Sequence, residues 1–302
     1  MARAKIGLAL GSGSARGWAH IGVIEALGEA GIAPDVIAGC SIGALVGAAL
    51  AAGRLEQLKA FALSLSWREI ARLTDVKLTA GGLVGGAEVV AMLERLGISA
   101  PIESLAVPYV AIATDLGSGR EVWLRDGPVT EAVRASISLP GIFSPAQREG
   151  RWLVDGGLVN PVPVSACRAL GADIVIAVNL NGDLVGRYGV PQEPRDTPAA
   201  PEFLNRLIEQ MPMLLRRPAE SVLPKLLDPA PNTPGYFEVL MGSINVMQDQ
   251  ITRARLAGDP PHVALTPRLE HITMLEFNRA PEAIAEGRAC VAHALPFIKR
   301  YL

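Results

Sequence analysis

Between Ile37 and Gly47 an uncharged, largely apolar run carries one hydroxyl, Ser41, in the order Gly39-Cys40-Ser41-Ile42-Gly43. A G-x-S-x-G pentapeptide is the pattern of a nucleophile elbow, in which a strained strand-to-helix turn holds a serine out for attack. Five small residues also arise by chance, so the pattern gains weight only from its companions. A serine attacking an ester makes a tetrahedral oxyanion, which fixed hydrogen-bond donors must meet. Residues 10–22, LGSGSARGWAHIG, put a glycine-rich turn between a first apolar strand and a first helix. Successive backbone N–H groups in such a turn, with the positive end of the following helix, make an anion cradle. A dinucleotide loop would read G-x-G-x-x-G. Gly11 and Gly13 fit, but Arg16 holds the third position, Gly17 comes one late, and the next strand ends in Gly39-Cys40-Ser41 rather than an acid. No Gly-Lys-Ser/Thr is present, which removes a P-loop.

A serine nucleophile needs a base, and histidine is the usual one. The four histidines are His20, His262, His271 and His293, so none lies between residues 21 and 261. His20 reads as a packed or partly exposed residue of the first helix, and a Ser-Asp-His order ending in a late histidine stays open. The other candidate is Asp155 in RWLVDGGLVNPVP, residues 151–163, where a short strand ends in a carboxylate followed by Gly156-Gly157. Glycines there permit a sharp turn and close backbone approach, although Asp-Gly-Gly in isolation reads equally well as a hairpin turn.

Positioning these groups is the task of alternating elements. Short apolar runs at 5–10, 35–39, 108–114, 121–124, 151–154, 173–180 and 262–266 read as strands, and helical spacing appears at 16–30 and 88–96. That alternation predicts an α/β fold, a three-layer α/β/α sandwich with a mostly parallel central sheet. The serine elbow follows the strand after the glycine turn, so both turns can open at one edge of the sheet. The chain reads as a single domain, 1–302. Residues 190–260 form a proline-rich loop and helical insertion, and 261–302 a returning strand and C-terminal helix. Val36 to Gly53 carries no charge and reaches the lower limit of a membrane span. Its four glycines and its Cys-Ser pair break it instead into a buried strand, a tight turn and a small-residue helix. Residues 203–215, FLNRLIEQMPMLL, place an apolar stripe that either packs on the core or a second subunit, or covers the cleft and lies in a membrane interface.

Composition narrows the classes. Half the residues are apolar, and 28 basic against 30 acidic residues leave a net charge of −2 with no basic tract, so nucleic acid is not an expected partner. Three widely spaced cysteines form neither a disulfide framework nor a metal motif. The reading is a cytoplasmic protein, peripheral at membranes at most, with no metal or organic cofactor.

Taken in order, G-x-G-x-x-R-G at 11–17, Gly39-Cys40-Ser41-Ile42-Gly43, ASISLPGIFSP at 135–145 and Asp155-Gly156-Gly157 resemble the patatin-like phospholipase family, specifically its compact bacterial members. The resemblance is strong over 5–181 and weaker beyond. It implies that Ser41 is the nucleophile and Asp155 its only catalytic partner. It also implies an oxyanion hole at Gly11, Ser12 and Gly13 with Ile42, the residue after the nucleophile; Arg16 supports the loop and Pro140 shapes the neighbouring wall. Gly17, Gly39, Gly43, Gly156 and Gly157 complete the motifs. The commonest family loop is a glycine run, and Ser12 and Ser14 depart from it, at a conformational cost if their φ angles are positive. Gly13 is expected to need a positive φ that a β-branched residue would resist. The implied activity is hydrolysis of lipid acyl esters. The rivals are a triad esterase of the α/β-hydrolase type and a catalytically silent regulatory protein on the same fold.

Overall fold

Strands buried at every position form the middle of the sheet: β1 (Ile6–Leu10), β2 (Val36–Cys40) and β9 (Ile174–Val178). Near-continuous apolar runs of this kind suit parallel strands covered on both faces. The structure is a computed structural model describing residues 3–66, 69–70, 76–79, 82–184 and 236–302. Its remaining strands are β3 (Val76–Thr79), β4 (Gly82–Val84), β5 (Tyr109–Asp115), β6 (Glu121–Leu124), β7 (Ala146–Arg148), β8 (Arg151–Asp155) and β10 (Val263–Leu265). The described helices are α1 (Ala19–Glu29), α2 (Ile42–Ala51), α3 (Leu55–Ser64), α4 (Ala87–Arg95), α5 (Val129–Ser136), α6 (Val164–Ala169), α7 (Tyr236–Gly258) and α8 (Ala280–Ile298).

The main sheet runs β10-β9-β1-β2-β5-β8-β7, with β6 also on β5. From β10 to β5 every pairing is parallel; β6, β7 and β8 pair antiparallel. One apolar cluster joins Leu8, Leu10 and Ile37 to α1, α2, α5 and α8. The other joins Ala9, Ala38 and Ile112 to Val164 and Cys167 of α6, with Leu256 of α7 packed against it. The result is a three-layer α/β/α sandwich.

Every strand expected from the sequence is present. The returning run at 262–266 is β10, which pairs with β9 at Val263↔Ile176. The uncharged stretch Val36–Gly53 is β2, the elbow and α2, and nine of the ten α2 residues are buried inside the sandwich. Among the described residues no helix is long and apolar enough to cross a membrane. The stripe at 203–215 and the proline-rich loop at 190–201 lie outside the described residues. In the outer layer, a Cβ on Gly22 would strike the Ile284 carbonyl and one on Gly287 the Ala19 carbonyl, so α1 and α8 cross backbone to backbone.

Candidate active site

Register brings Ser41 and Asp155 together. β2 pairs with β5 as far as Cys40↔Ile112. β6 and β8 both register with Ala113 and Thr114, so they lie on opposite sides of β5. β2 shares Ala111 and Ile112 with β6, which puts β2 and β8 on the same side. Where β2 ends and the chain turns at Ser41, β8 enters the same lane from the opposite direction, its last residue Asp155 opposite Ala113. Ser41 Oγ donates to Asp155 Oδ2 at 2.6 Å.

The elbow is strained and tightly packed. Ser41 has φ 55° and ψ −122°, a region L-residues avoid, and it caps α2. A Cβ on Gly39 would run into the Gly43 carbonyl, and one on Gly43 into the Leu10 and Gly11 carbonyls, so both glycines are there for close approach. Gly17 does the same against the Ile42 side chain, and Gly156 against the Ile112 carbonyl. Ser136 Oγ accepts the Ser41 N–H at 2.9 Å and donates to the Ile112 carbonyl at 2.5 Å, bracing the turn from α5.

Asp155 is 1% exposed. Its Oδ1 accepts the Gly157 N–H at 2.7 Å, its N–H donates to Ser138 O at 2.9 Å, and Thr114 Oγ1 donates to its carbonyl at 2.8 Å. Burial pushes the carboxyl up to about 6, against the hydrogen bonds from Ser41 and Gly157, which pull it down. A carboxyl raised by burial and bonded to a serine hydroxyl inside a cavity marks a candidate functional site.

The glycine loop divides its amides unequally. Gly11 N–H donates to Val178 O at 3.0 Å and Ser12 N–H to Pro161 O at 2.8 Å, so both are engaged by the protein. Among the described residues the N–H groups of Gly13 and Ser14 have no such partner, and both residues line the cavity that holds Ser41 and Asp155. Of the loop amides expected to face an oxyanion, those of Gly11 and Ser12 are therefore bonded to the protein and that of Gly13 is not; Ser14, outside that expectation, has an N–H equally without such a bond. Gly13 has φ 163°, extended rather than left-handed, so the conformational reason for a glycine does not hold. The obstacle is instead Leu180, whose Cβ and Cδ1 would lie 2.8 Å from an added Cβ. Ser14 does take the left-handed region, at φ 52°, while Ser12 does not. The Ser14 hydroxyl donates to Met274 O at 2.6 Å, which helps offset the strain.

Arg16, 4% exposed, donates through Nε to Ile272 O at 2.8 Å and through Nη1 to Asn181 Oδ1 at 3.1 Å, tying the loop to segments beyond β9 and β10. Fully buried His20 lies 2.8 Å through Nε2 from the Gly11 carbonyl. A carbonyl only accepts, so that nitrogen carries the proton, and burial lowers the imidazole to about 4, keeping it neutral. Pro140 does not itself line the cavity; Leu139 and Ile142 beside it do. Arg134 holds that wall, donating to Gly85 O, Ser138 Oγ and Ser144 O.

Apolar side chains from separate elements complete the cavity: Leu45 of α2, Phe61 of α3, Met92 of α4, then Phe143, Leu275 and Phe277. None of the histidines lines it. His262 Nδ1 accepts the Val175 N–H where β9 begins, at the opposite edge of the sheet, and His271 and His293 are on the surface. Among the described residues no cluster of histidine, cysteine and acidic side chains could hold a metal.

Four supporting residues were not singled out from the sequence: Ser136, Asn181 and Gln248, and His20 in its actual role. Ser136 lies inside ASISLPG, which was read only for its proline. Asn181 and Gln248 carried no local signal.

The family model for patatin-like phospholipase matches residues 8–168, from β1 through Asp155 to α6. An NTE family protein of Mycobacterium tuberculosis is 36% identical, covering 96% of this chain and 91% of its own length. Lysophospholipase NTE1 of Pyricularia oryzae is 31% identical over 93% of this chain, which spans 18% of that protein. The crystal structure of VipD from Legionella pneumophila, 11% identical with a TM-score of 0.50, covers 99% of this chain and 67% of that one, a likeness of fold alone. With the elbow, the loop and Asp155 all inside a match of more than half its length, the chain belongs to the patatin-like phospholipase family.

Proposed function

We propose that the chain is a serine acyl hydrolase of lipid esters that works through Ser41 and Asp155 without a histidine. Family membership makes it a lipid ester hydrolase; the residue roles are inferred from the site. The observation that carries them is the 2.6 Å bond from Ser41 Oγ to the buried Asp155 carboxylate, both lining a largely apolar cavity. As Oγ bonds to the acyl carbon, its proton passes to Oδ2. The oxyanion forms near the free N–H groups of Gly13 and Ser14 and the first-turn N–H of Ile42, each such donor worth about 2.7–4 kcal/mol in the transition state. Collapse breaks the carbon–alkoxy bond, and the leaving oxygen takes the proton from Asp155. Water then attacks the acyl-enzyme, Asp155 takes its proton, and Ser41 is restored. A carboxylate poised near 6 is a far better base at neutral pH than one near 3.8, and ester leaving groups ask less of it than amines. The apolar walls suit a fatty acyl chain, and the lysophospholipase name of the fungal relative favours phospholipid or lysophospholipid esters.

The test is a panel of 4-nitrophenyl esters of rising chain length on wild type and Ser41→Ala. The expected result is kcat/KM rising from acetyl to medium chains and abolished in Ser41→Ala. Absence of turnover by folded wild type on every ester, or turnover unaffected by Ser41→Ala, overturns the proposal.

A further inference from the structure

A chain of buried polar side chains begins at Arg16 and ends in the cavity, and its direction is fixed by chemistry. A guanidinium only donates, so Arg16 Nη1, 3.1 Å from Asn181, must face its Oδ1. That leaves the Asn181 amide nitrogen pointing the other way, where Nδ2 donates to Gln248 Oε1 at 3.2 Å. Ser12 Oγ donates to the same oxygen at 3.1 Å. With Oε1 committed to two donors, the Gln248 carboxamide cannot flip. Its Nε2 is left without a partner among the described residues. Gln248 is 3% exposed yet lines the cavity with Ser41 and Asp155. Its Nε2 lies over Gly157: a Cβ there would collide with that nitrogen and stand 3.0 Å from Asp155 Oδ1. A fixed donor pair thus faces the cavity beside the carboxylate.

We propose that Gln248 contacts the substrate, its Nε2 hydrogen-bonding the alkoxy oxygen that leaves in acylation and the water oxygen that attacks in deacylation. The inference rests on the Ser41–Asp155 reading. In acylation the bond from carbon to the alkoxy oxygen breaks and that oxygen receives the proton Asp155 took from Ser41. In deacylation the water oxygen bonds to the same carbon, the bond to Ser41 Oγ breaks, and the water proton returns through Asp155 to Oγ. Both oxygens occupy one position beside Asp155, and Gln248 supplies the free side-chain donor next to it. The donor favours substrates whose departing group is an alcohol, such as the glycerol of a lipid ester.

The discriminating experiment compares two esters of one fatty acid, a glyceryl ester whose alkoxide must be protonated and a 4-nitrophenyl ester whose phenolate leaves unaided. They are measured at pH 8 on wild type, Gln248→Glu, Gln248→Leu and Ser12→Ala. Gln248→Glu keeps an acceptor for Ser12 and Asn181 and removes the donor; Ser12→Ala removes one of the two hydrogen bonds to Oε1 and leaves Nε2 in place. Loss of one hydrogen bond to the reacting oxygen should lower glyceryl over nitrophenyl kcat/KM about tenfold in both Gln248 variants. It should also slow deacylation enough to give a nitrophenol burst, while Ser12→Ala leaves the ratio unchanged. Equal loss on both esters, tracking the melting temperature, would mean that Gln248 only holds the loop. If Gln248→Leu does not fold, the ratio in Gln248→Glu decides. Wild type inert on both esters overturns this inference together with the dyad; an active wild type with an unchanged ratio in the variants overturns this inference alone.

Discussion

Asp155 is a carboxyl that burial pushes up to about 6, and its proposed role as a base and its effect on stability run in opposite directions with pH. As the proposed base it must be ionised, so kcat/KM should rise with pH through an acid limb near 6, where an exposed carboxylate would give a limb near 3.8. For stability, the unfolded carboxyl ionises first. Between about 3.8 and 6 the folded state binds more protons, so stability falls across that window by about 3 kcal/mol and is level above it. Asp155→Asn removes the ionisation. Its turnover should drop about 10²–10⁴-fold, while urea unfolding at pH 8 should show it at least as stable as wild type and lacking the decline between 4 and 6. A pH-stability curve identical to that of wild type would mean that Asp155 is not the buried titrating group. The Ser41–Asp155 contact was legible because each member sits in a short motif. Asn181 and Gln248 were not, because single amides among loop and helix residues carry no pattern until the fold brings them to Ser12, 169 and 236 residues away.

At the scale of elements, the site depends on β2 and β8 sharing one lane beside β5 and on a turn too tight for side chains. Gly43→Ala places a Cβ against the Leu10 and Gly11 carbonyls, which belong to the β1 end and the glycine loop and cannot swing aside. The variant should lose stability toward the upper part of the about 1–3 kcal/mol range for overpacking. It should also lose more kcat/KM than its folded fraction explains, because the loop donors move. Thermal unfolding alongside kinetics at a temperature where the variant is folded checks both, and full specific activity there would show the contact to be soft. The seven strands read from the sequence were visible as apolar runs. β7 was not, since Ala146–Arg148 is only three residues with a single apolar side chain, none of them buried, paired only with β8. The antiparallel entry of β8 was equally hidden: RWLV announces a strand, not its direction, and that direction delivers Asp155 to Ser41.

On the scale of the whole molecule, the histidines stay out of the cavity that holds Ser41 and Asp155. His262 sits where β10 begins, His271 in the loop before α8 and His293 on α8, while His20 is neutral and buried beneath the glycine loop. Replacing His262, His271 and His293 together by alanine should leave kcat/KM within about twofold of wild type. The lost His262–Val175 hydrogen bond should lower stability by about 1 kcal/mol; collapse of kcat with stability retained would restore the triad. The sandwich was legible from alternating elements, whereas the backbone crossing of α1 and α8 rests on Gly22 and Gly287, lone glycines with no local signature. In the proposed mechanism the whole arrangement serves one activated hydroxyl, and covalent labelling reads it directly. Wild-type protein treated with a fluorophosphonate should gain the mass of one adduct, mapped to Ser41, with labelling abolished in Ser41→Ala and slowed in Asp155→Asn. Folded wild type that gains no mass, or an adduct that persists in Ser41→Ala, would contradict the account.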